Sequence, residues 1–314
     1  MNKTELKTCM LDLVDLAKQT GQIAMNSYGK VKSIKKEVKN EDLISEEQRS
    51  EKQAFSLMDL KCQNMVTNHV SVKYPEFGMF LEEVFDEQDI EDAKKKGQTE
   101  LVDLILTSQS HIKRLPYINQ LPEDQNTVLV DPIDGSKNYL TGKSDFAVCI
   151  TLFNGKDPLG TVFYFPKLEK SIYSIKDLGT FINGKKIQIT KFNEFSQKDL
   201  IRIGSYLKKS NPQIEPNFNI PTFGSSCGNM RATIEQQVKA YITNRVGLLD
   251  FSGTAFAYKN AGGLFLNKDL EPISTRDIIS EDLKFVQGLM FLVPSKEYVE
   301  GILSYMESKN ISFK

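Results

Sequence analysis

Asp131 and Asp134 lie three positions apart, where the apolar run Val128-Leu129-Val130 meets Pro132, Gly135 and Ser136. The run reads as a buried strand. Pro132 fixes φ and has no N–H, which predicts that the strand ends there. Gly135 permits a tight backbone, and Ser136 is placed to cap a following helix. Two carboxylates at a strand end, beside the exposed N–H groups of a helix start, suit a hard cation and a phosphate held together. Read as separate Asp-Pro and Asp-Gly dipeptides, the same residues would be ordinary turns. Their compact arrangement behind a Val/Leu strand favours the metal reading.

The elements that must position these acids follow from periodicity. Leu6, Met10, Leu13, Leu16, Ala17, Ile23 and Ala24 recur at helical spacing up to Gly29. Lys30 to Arg49 is dense in alternating charge and reads as a strand and exposed flap. A second helix is predicted from about residue 50 to Lys73, with Phe55, Met58, Met65, Val66 and Val70 as its apolar positions and Tyr74-Pro75 as its stop. Phe77 to Leu81 reads as a short strand closing on Glu82-Glu83, and residues 86–126 as a surface insertion carrying a helix or two. From Phe146 to about Ile189, short apolar runs alternate with Gly, Pro and Asn turns, which predicts an antiparallel meander. Leu200–Ile203 and Ala240–Thr243 read as strands. Gly224 to Met230 opens a helix expected to reach about Lys239, and Val246 to Asp250 leads into another that ends at Gly262-Gly263. A last strand and helix close the chain. Helices, sheet, then helices and sheet again predict a layered α/β (α+β) sandwich, with an N-terminal half over 1–195 and a C-terminal half over 196–314.

Composition narrows the function. The chain has 314 residues, 40% of them hydrophobic, enough to bury a large core. Its 40 basic and 41 acidic residues nearly cancel, so no global field draws it to a nucleic acid polymer or an anionic membrane. No apolar stretch reaches spanning length, and the start, Met1-Asn2-Lys3-Thr4-Glu5, lacks the apolar character of a signal peptide. Cys9, Cys62, Cys149 and Cys227 are widely spaced and read as free thiols of a cytoplasmic protein. His69 and His111 are the only histidines, too few for a His-rich metal site, and neither is given a role. Dinucleotide and nucleoside-triphosphate loops lose support because no Gly-x-Gly-x-x-Gly or Gly-x-x-x-x-Gly-Lys run is present.

The run Asp131-Pro132-Ile133-Asp134-Gly135-Ser136 resembles the signature of the lithium-sensitive, magnesium-dependent phosphomonoesterase (inositol monophosphatase) superfamily. That superfamily includes inositol monophosphatase, inositol polyphosphate 1-phosphatase, 3′(2′),5′-bisphosphate nucleotidase and fructose-1,6-bisphosphatase. The resemblance implies a layered αβαβα sandwich, two or three Mg2+ ions, inhibition by Li+, and hydrolysis by a metal-activated water. It extends to Glu82-Glu83, matching a Gly-Glu-Glu element whose Gly is Leu81 here; Glu82 is then a metal ligand and Glu83 its supporting neighbour. Asp250 matches a Trp-Asp element with the Trp replaced by Leu249 and Ala261-Gly262-Gly263 downstream. A plain helix N-cap is the other reading of Asp250. The implied metal set is Glu82, Asp131, the Ile133 carbonyl, Asp134 and Asp250.

For the water-activating acid, Asp42-Leu43-Ile44-Ser45 resembles the family's Asp-Leu-Val-Thr and leaves Glu46 and Glu47 open, whereas counting back from Tyr74-Pro75 selects Asp59. Asp59 is preferred, with the Ser136 hydroxyl as its partner and the Gly135 and Ser136 amides on the phosphate. A pure binding module is the alternative of another class: a degenerate member sensing a phosphometabolite. An EF-hand is excluded, because the acids are spread along the chain instead of lying in one loop.

Substrate choice rests on finer likeness. Residues 137–142 with 145–149 look like the bisphosphate nucleotidases, and the surroundings of Asp59 look like inositol polyphosphate 1-phosphatase. In monophosphatases a Glu seven residues before the metal-ligating Asp holds an inositol hydroxyl; here that position is Thr243, followed by Asn244 and Arg245. Arg245, with Ser225 and Ser226 at a helix start, is therefore expected to hold a second phosphate. The expected substrate is a small bisphosphate, inositol 1,4-bisphosphate or adenosine 3′,5′-bisphosphate, with an inositol monophosphate as the alternative. A monomer is expected.

Overall fold

The computed structural model describes residues 1–26, 28, 33–34, 55–95, 97–110, 124–278 and 285–313. For 33–34, 55–56, 109–110, 248, 250, 278 and 285–287 it describes the backbone alone. The sequence segment holding Glu46 and Glu47 lies outside the described residues, as does His111.

Helix α1 (Lys3–Asn26) starts with a reciprocal cap: Asn2 Oδ1 accepts the Thr4 and Glu5 amides, and Glu5 accepts the Asn2 amide. Strands β1 (Ser33–Ile34) and β2 (Phe55–Ser56) pair antiparallel. The second long helix, α2 (Leu57–Lys73), therefore begins only at Leu57. Phe55, expected on its apolar face, belongs to a strand; local apolar spacing does not distinguish a helical turn from a two-residue bridge. Next come β3 (Gly78–Leu81), α3 (Glu87–Lys95) and α4 (Thr99–Ser110). The last two bury Ile90, Ala93, Leu101, Val102 and Ile105 against Leu60 and Phe85. The expected surface insertion thus carries its own small core.

Strands β4 (Asn126–Asp134), β5 (Ala147–Asn154), β6 (Asp157–Phe165), β7 (Lys170–Ile175), β8 (Gly179–Ile182) and β9 (Lys185–Ile187) complete a seven-stranded sheet with β3 at one edge. Between β4 and β5 lies one short helix, α5 (Ser136–Leu140). Only the β3–β4 pair is parallel; β4 to β9 run as the expected antiparallel meander.

The remaining chain forms β10 (Ile201–Ile203), α6 (Ser205–Ser210), α7 (Ser226–Ile234), β11 (Ala240–Gly247), α8 (Leu248–Asn260), β12 (Leu264–Leu266), β13 (Phe285–Val293) and α9 (Lys296–Ser308). Its four strands make a second sheet in the order β10-β11-β13-β12. Helix α7 stops at Ile234, short of the expected Lys239, and Gln236 then takes φ 58°, which no helix continues through.

The layers follow from which faces are apolar. Leu13, Leu16 and Val66 of α1 and α2 pack with Val128, Val148 and Val162 on one face of the large sheet. On its other face, Leu129, Phe163 and Ile172 meet Met230, Phe251 and Tyr258 of α7 and α8, which also touch Tyr241 and Leu292 of the small sheet. The far side of the small sheet buries Ile203, Ile242 and Phe291 under Tyr298, Val299 and Ile302 of α9. The result is the layered sandwich that the residues predicted, in the αβαβα order that the resemblance implied. No helix among the described residues is long and apolar enough to cross a membrane.

Candidate active site

The Asp131–Ser136 turn is shaped by a register irregularity. Asp131 pairs with Cys149 and Asp134 with Ala147, so Pro132 and Ile133 together oppose the single residue Val148, and β4 carries one extra residue. The strand therefore runs through Pro132, contrary to expectation. A bulge is a place where a strand tolerates proline, because the ladder asks for no N–H there. Asp131 Oδ1 accepts the Ile133 N–H at 3.1 Å, which braces the bulge. Gly135 then takes φ 87° and is itself the N-cap of α5. Ser136 is the first residue inside that helix, and its Oγ donates to the Ile133 carbonyl at 3.1 Å. The expected N-cap role of Ser136 thus passes to Gly135, while the hydroxyl faces an expected ligand atom.

Asp134 is 8% exposed. Its carboxylate accepts the Cys227 N–H from the first turn of α7, and the Cys227 thiol donates to the Asp134 carbonyl at 3.5 Å. Burial, reinforced by the charge of Glu82, pushes this carboxyl up to about 6, although bonds from Cys227 and Ser226 pull the other way. Burial and the Asp134 charge likewise raise the Cys227 thiol, which makes it an inert core group.

Glu82 directly follows β3, and its N–H donates to the Val130 carbonyl at 3.0 Å, which sets it alongside Asp131. Glu83 is buried on the other side; Gln63 of α2 accepts its N–H at 3.1 Å and donates to its carbonyl at 2.8 Å. Asp59 occupies the first turn of α2 and is 2% exposed. Its neighbours Met58 and Cys62 share an apolar cluster with Ile133, Tyr139 and Phe146, so the start of α2 packs beneath the Asp131–Ser136 turn. The Asp59 charge adds to burial in raising Cys62 and Tyr139. The Asp250 backbone lies in the first turn of α8, with Gly247 as N-cap; its side chain is outside the described ones.

On the C-terminal side, Ser225 caps α7: its Oγ accepts the Gly228 N–H at 3.0 Å and donates to the Asp145 carbonyl at 2.7 Å. In this arrangement that hydroxyl proton is committed inside the protein. Ser226 opens the helix. Thr243 is fully buried, and the Arg245 guanidinium lies 5.0 Å over the Tyr206 ring. Two features escaped sequence reasoning. Arg231 of α7 pairs with the Asp145 carboxylate, at 3.0 Å from Nε and 2.8 Å from Nη2, and ties α7 to the segment after α5. Arg202 is buried at the centre of β10; the signal was a lone charge inside Ile-Arg-Ile.

The sequence matches the model of the inositol monophosphatase family over residues 6–301. The chain belongs to the inositol monophosphatase family. Membership places it among phosphoric monoester hydrolases. An Aquifex aeolicus fructose-1,6-bisphosphatase/inositol-1-monophosphatase is 31% identical over 131 residues, which is 37% of this chain and 49% of that protein. The Thermotoga maritima protein of the same name is 22% identical over 279 residues, covering 86% of this chain and 90% of its own length. A staphylococcal inositol monophosphatase-1, solved as a LiCl-soaked inhibitory complex, superposes with a TM-score of 0.68 at 13% identity, covering 99% of this chain and 98% of that one.

The donor chemistry of this family member fits a hard dication. Glu82, Asp131, Asp134 and the Ile133 carbonyl offer oxygen alone, and the Asp134 carboxyl is raised by burial and by the nearby charge of Glu82. Among the described residues, which exclude the Asp250 side chain, no three Asp, Glu, His or Cys side chains converge on one point. Asp134 is instead turned toward the amide of Cys227.

Proposed function

We propose that this protein is a magnesium-dependent phosphomonoesterase that removes one phosphate from a small molecule carrying two. The observation that carries the hydrolase reading is the bulged strand. It sets Asp131 and Asp134 beside Glu82, and Asp134 is a buried carboxyl held at about 6 by burial and the charge of Glu82. Glu82, Asp131, Asp134, the Ile133 carbonyl and Asp250 would hold the ions. When bound, Mg2+ lowers the pKa of water and neutralises charge on the ester phosphate and its leaving oxygen.

The chain's own residues supply the rest. Asp59, fixed in the first turn of α2, accepts the proton of the attacking water at its carboxylate, and the Ser136 hydroxyl orients that water. The Gly135 and Ser136 amides, at the start of α5, hold phosphate oxygens. Glu83, braced by Gln63, keeps Glu82 in place.

The preference for two phosphates rests on Thr243 and Arg245. Where a monophosphatase would present a carboxylate to an inositol hydroxyl, this chain buries an uncharged Thr243 and sets Arg245 two residues on. A guanidinium there attracts an anion that a carboxylate would repel. Ser226, the first residue of α7, adds its hydroxyl. Inositol 1,4-bisphosphate and adenosine 3′,5′-bisphosphate are the substrates favoured by sequence likeness, and the names of the relatives add fructose 1,6-bisphosphate. Those names also support a second reading, activity on inositol 1-phosphate. Phosphate release with Mg2+ from all four compounds separates the readings. A kcat/KM at least tenfold higher for one bisphosphate supports the proposal, and Arg245→Ala should then lower that value roughly 30- to 1000-fold. Preference for the monophosphate overturns it, and no release from any compound favours a phosphometabolite-binding protein.

A further inference from the structure

Arg202 is an arginine without an acid. Its neighbours Ile201 and Ile203 point into the core beneath α9, and Arg202 points the other way, toward α7, where it is 5% exposed. Nε donates to Asn229 Oδ1 at 2.6 Å, and Nη2 reaches Ser205 Oγ at 3.4 Å. Both partners are neutral, and the remaining N–H donors of the fork have no protein acceptor among the described residues. Burial pulls this guanidinium below its ordinary pKa, and among the described residues the Tyr241 phenol opposes that pull. Burying a charge is costly unless a counter-charge meets it. Arg231, on the same helix as Asn229, shows what a structural arginine looks like in this fold: Asp145 lies at 2.8 Å and Glu235 at 2.8 Å.

The position of Arg202 indicates what would complete it. Asn229 stands two residues after Cys227, whose amide binds the Asp134 carboxylate. Two helical residues advance only about 3 Å, so the residue that holds the guanidinium and the residue whose amide binds Asp134 share the first turns of one helix. Ser205, the other partner, opens α6, and the next residue, Tyr206, carries the Arg245 guanidinium over its ring. Two arginines thus flank the start of α6.

We propose that Arg202 is the anion-reading residue of a second subsite, receiving the non-scissile phosphate of a substrate whose other phosphate lies at the Asp131–Ser136 turn. This rests on the phosphomonoesterase reading above. The fork of Arg202 accepts the anion edge-on, Asn229 and Ser205 hold the fork in plane, and Arg245 closes the outer side. The ligand-free protein stores an uncompensated buried charge, and the bisphosphate neutralises it.

Two variants, Arg202→Met and Arg202→Lys, test the assignment by melting temperature and by kinetics. In EDTA, inorganic phosphate should raise the Tm of the wild type, leave Arg202→Met unmoved, and act weakly on Arg202→Lys. Without phosphate, Arg202→Met should melt at or above the wild-type temperature, because an unpaired buried charge has gone. With Mg2+, the ratio of kcat/KM for the preferred bisphosphate over inositol 1-phosphate should fall roughly 30- to 300-fold in Arg202→Met. If Arg202→Met melts several degrees lower and keeps its phosphate response and substrate ratio, Arg202 is a structural residue and the proposal is overturned. Wild-type protein that shows no bisphosphate preference counts against the proposed function. The phosphate response in EDTA does not depend on turnover, so it still decides the role of Arg202.

Discussion

Asp134 and Cys227 bind each other twice: amide to carboxylate and, at 3.5 Å, thiol to backbone carbonyl. The residues are 93 positions apart in the chain, and their contact joins the bulged strand of the large sheet to the middle helical layer. It leaves the carboxylate in a buried site beside Glu82, and a pH dependence follows.

The carboxyl of Asp134 has a folded-state pKa of about 6 against an ordinary 3.8. A raised acid binds its proton more tightly in the folded chain. Its contribution to stability is therefore fully present below about pH 4 and is lost as pH rises to about 6, by on the order of 3 kcal/mol. In EDTA, wild type should gain on Asp134→Asn as pH falls from 7 to 5, by thermal melts. Mg2+ needs the deprotonated form, so its affinity by calorimetry should weaken as pH drops through 6. Asp134→Asn should also lower kcat by orders of magnitude while the chain stays folded; near-normal turnover would show that the metal site lies elsewhere.

Asp59→Asn should abolish turnover and leave Mg2+ affinity, measured by titration calorimetry, within a few-fold of wild type. We propose its carboxylate acts on the water, not on the ions. Replacing Glu47 should do much less, and the opposite ranking would move the base to the 42–48 segment.

Lithium should inhibit at millimolar concentrations under saturating Mg2+, by occupying an ion position as a weaker Lewis acid. Steady-state assays across a lithium series decide this, and a flat response would contradict the expected ion set.

Gly135→Ala should both destabilise and inactivate. The residue has φ 87°, and an added Cβ would stand 2.8 Å from the Asp145 carbonyl oxygen and 2.9 Å from Ser225 Cβ. A cost of about 1–3 kcal/mol is expected in chemical denaturation, with kcat falling more steeply than Tm because the displaced turn carries Asp134.

How much of this was legible beforehand depended on how local each signal is. The acids, Gly135 and the meander from Phe146 were readable because a strand ending in carboxylates, and apolar runs between Asn-Gly turns, carry their meaning in a few adjacent residues. The passage of β4 through Pro132 was not, since a bulge depends on how the partner Cys149–Ala147 is registered. Ser136 was misplaced by one position because Gly135 took the left-handed conformation that ends the strand. Ser225 looked like a free donor until the Asp145 carbonyl, 80 positions away, was seen to take its proton. Arg202 was passed over because a charge between two isoleucines reads as an exposed edge residue, and only the packing of α7 over β10 buries it.

The middle layer of the sandwich has a consequence for synthesis. Helices α7 and α8 come from the last third of the chain, yet they cover the face of the sheet built from its first two thirds. While the nascent chain grows, the strand bearing Asp131 and Asp134 exists before the amide that orients Asp134 and before the helix that brings Asp250. A half-made protein therefore has the acids without the centre. Its uncovered apolar face, lined by Leu129, Phe163 and Ile172, is the surface a chaperone would be expected to hold until residue 260 has emerged.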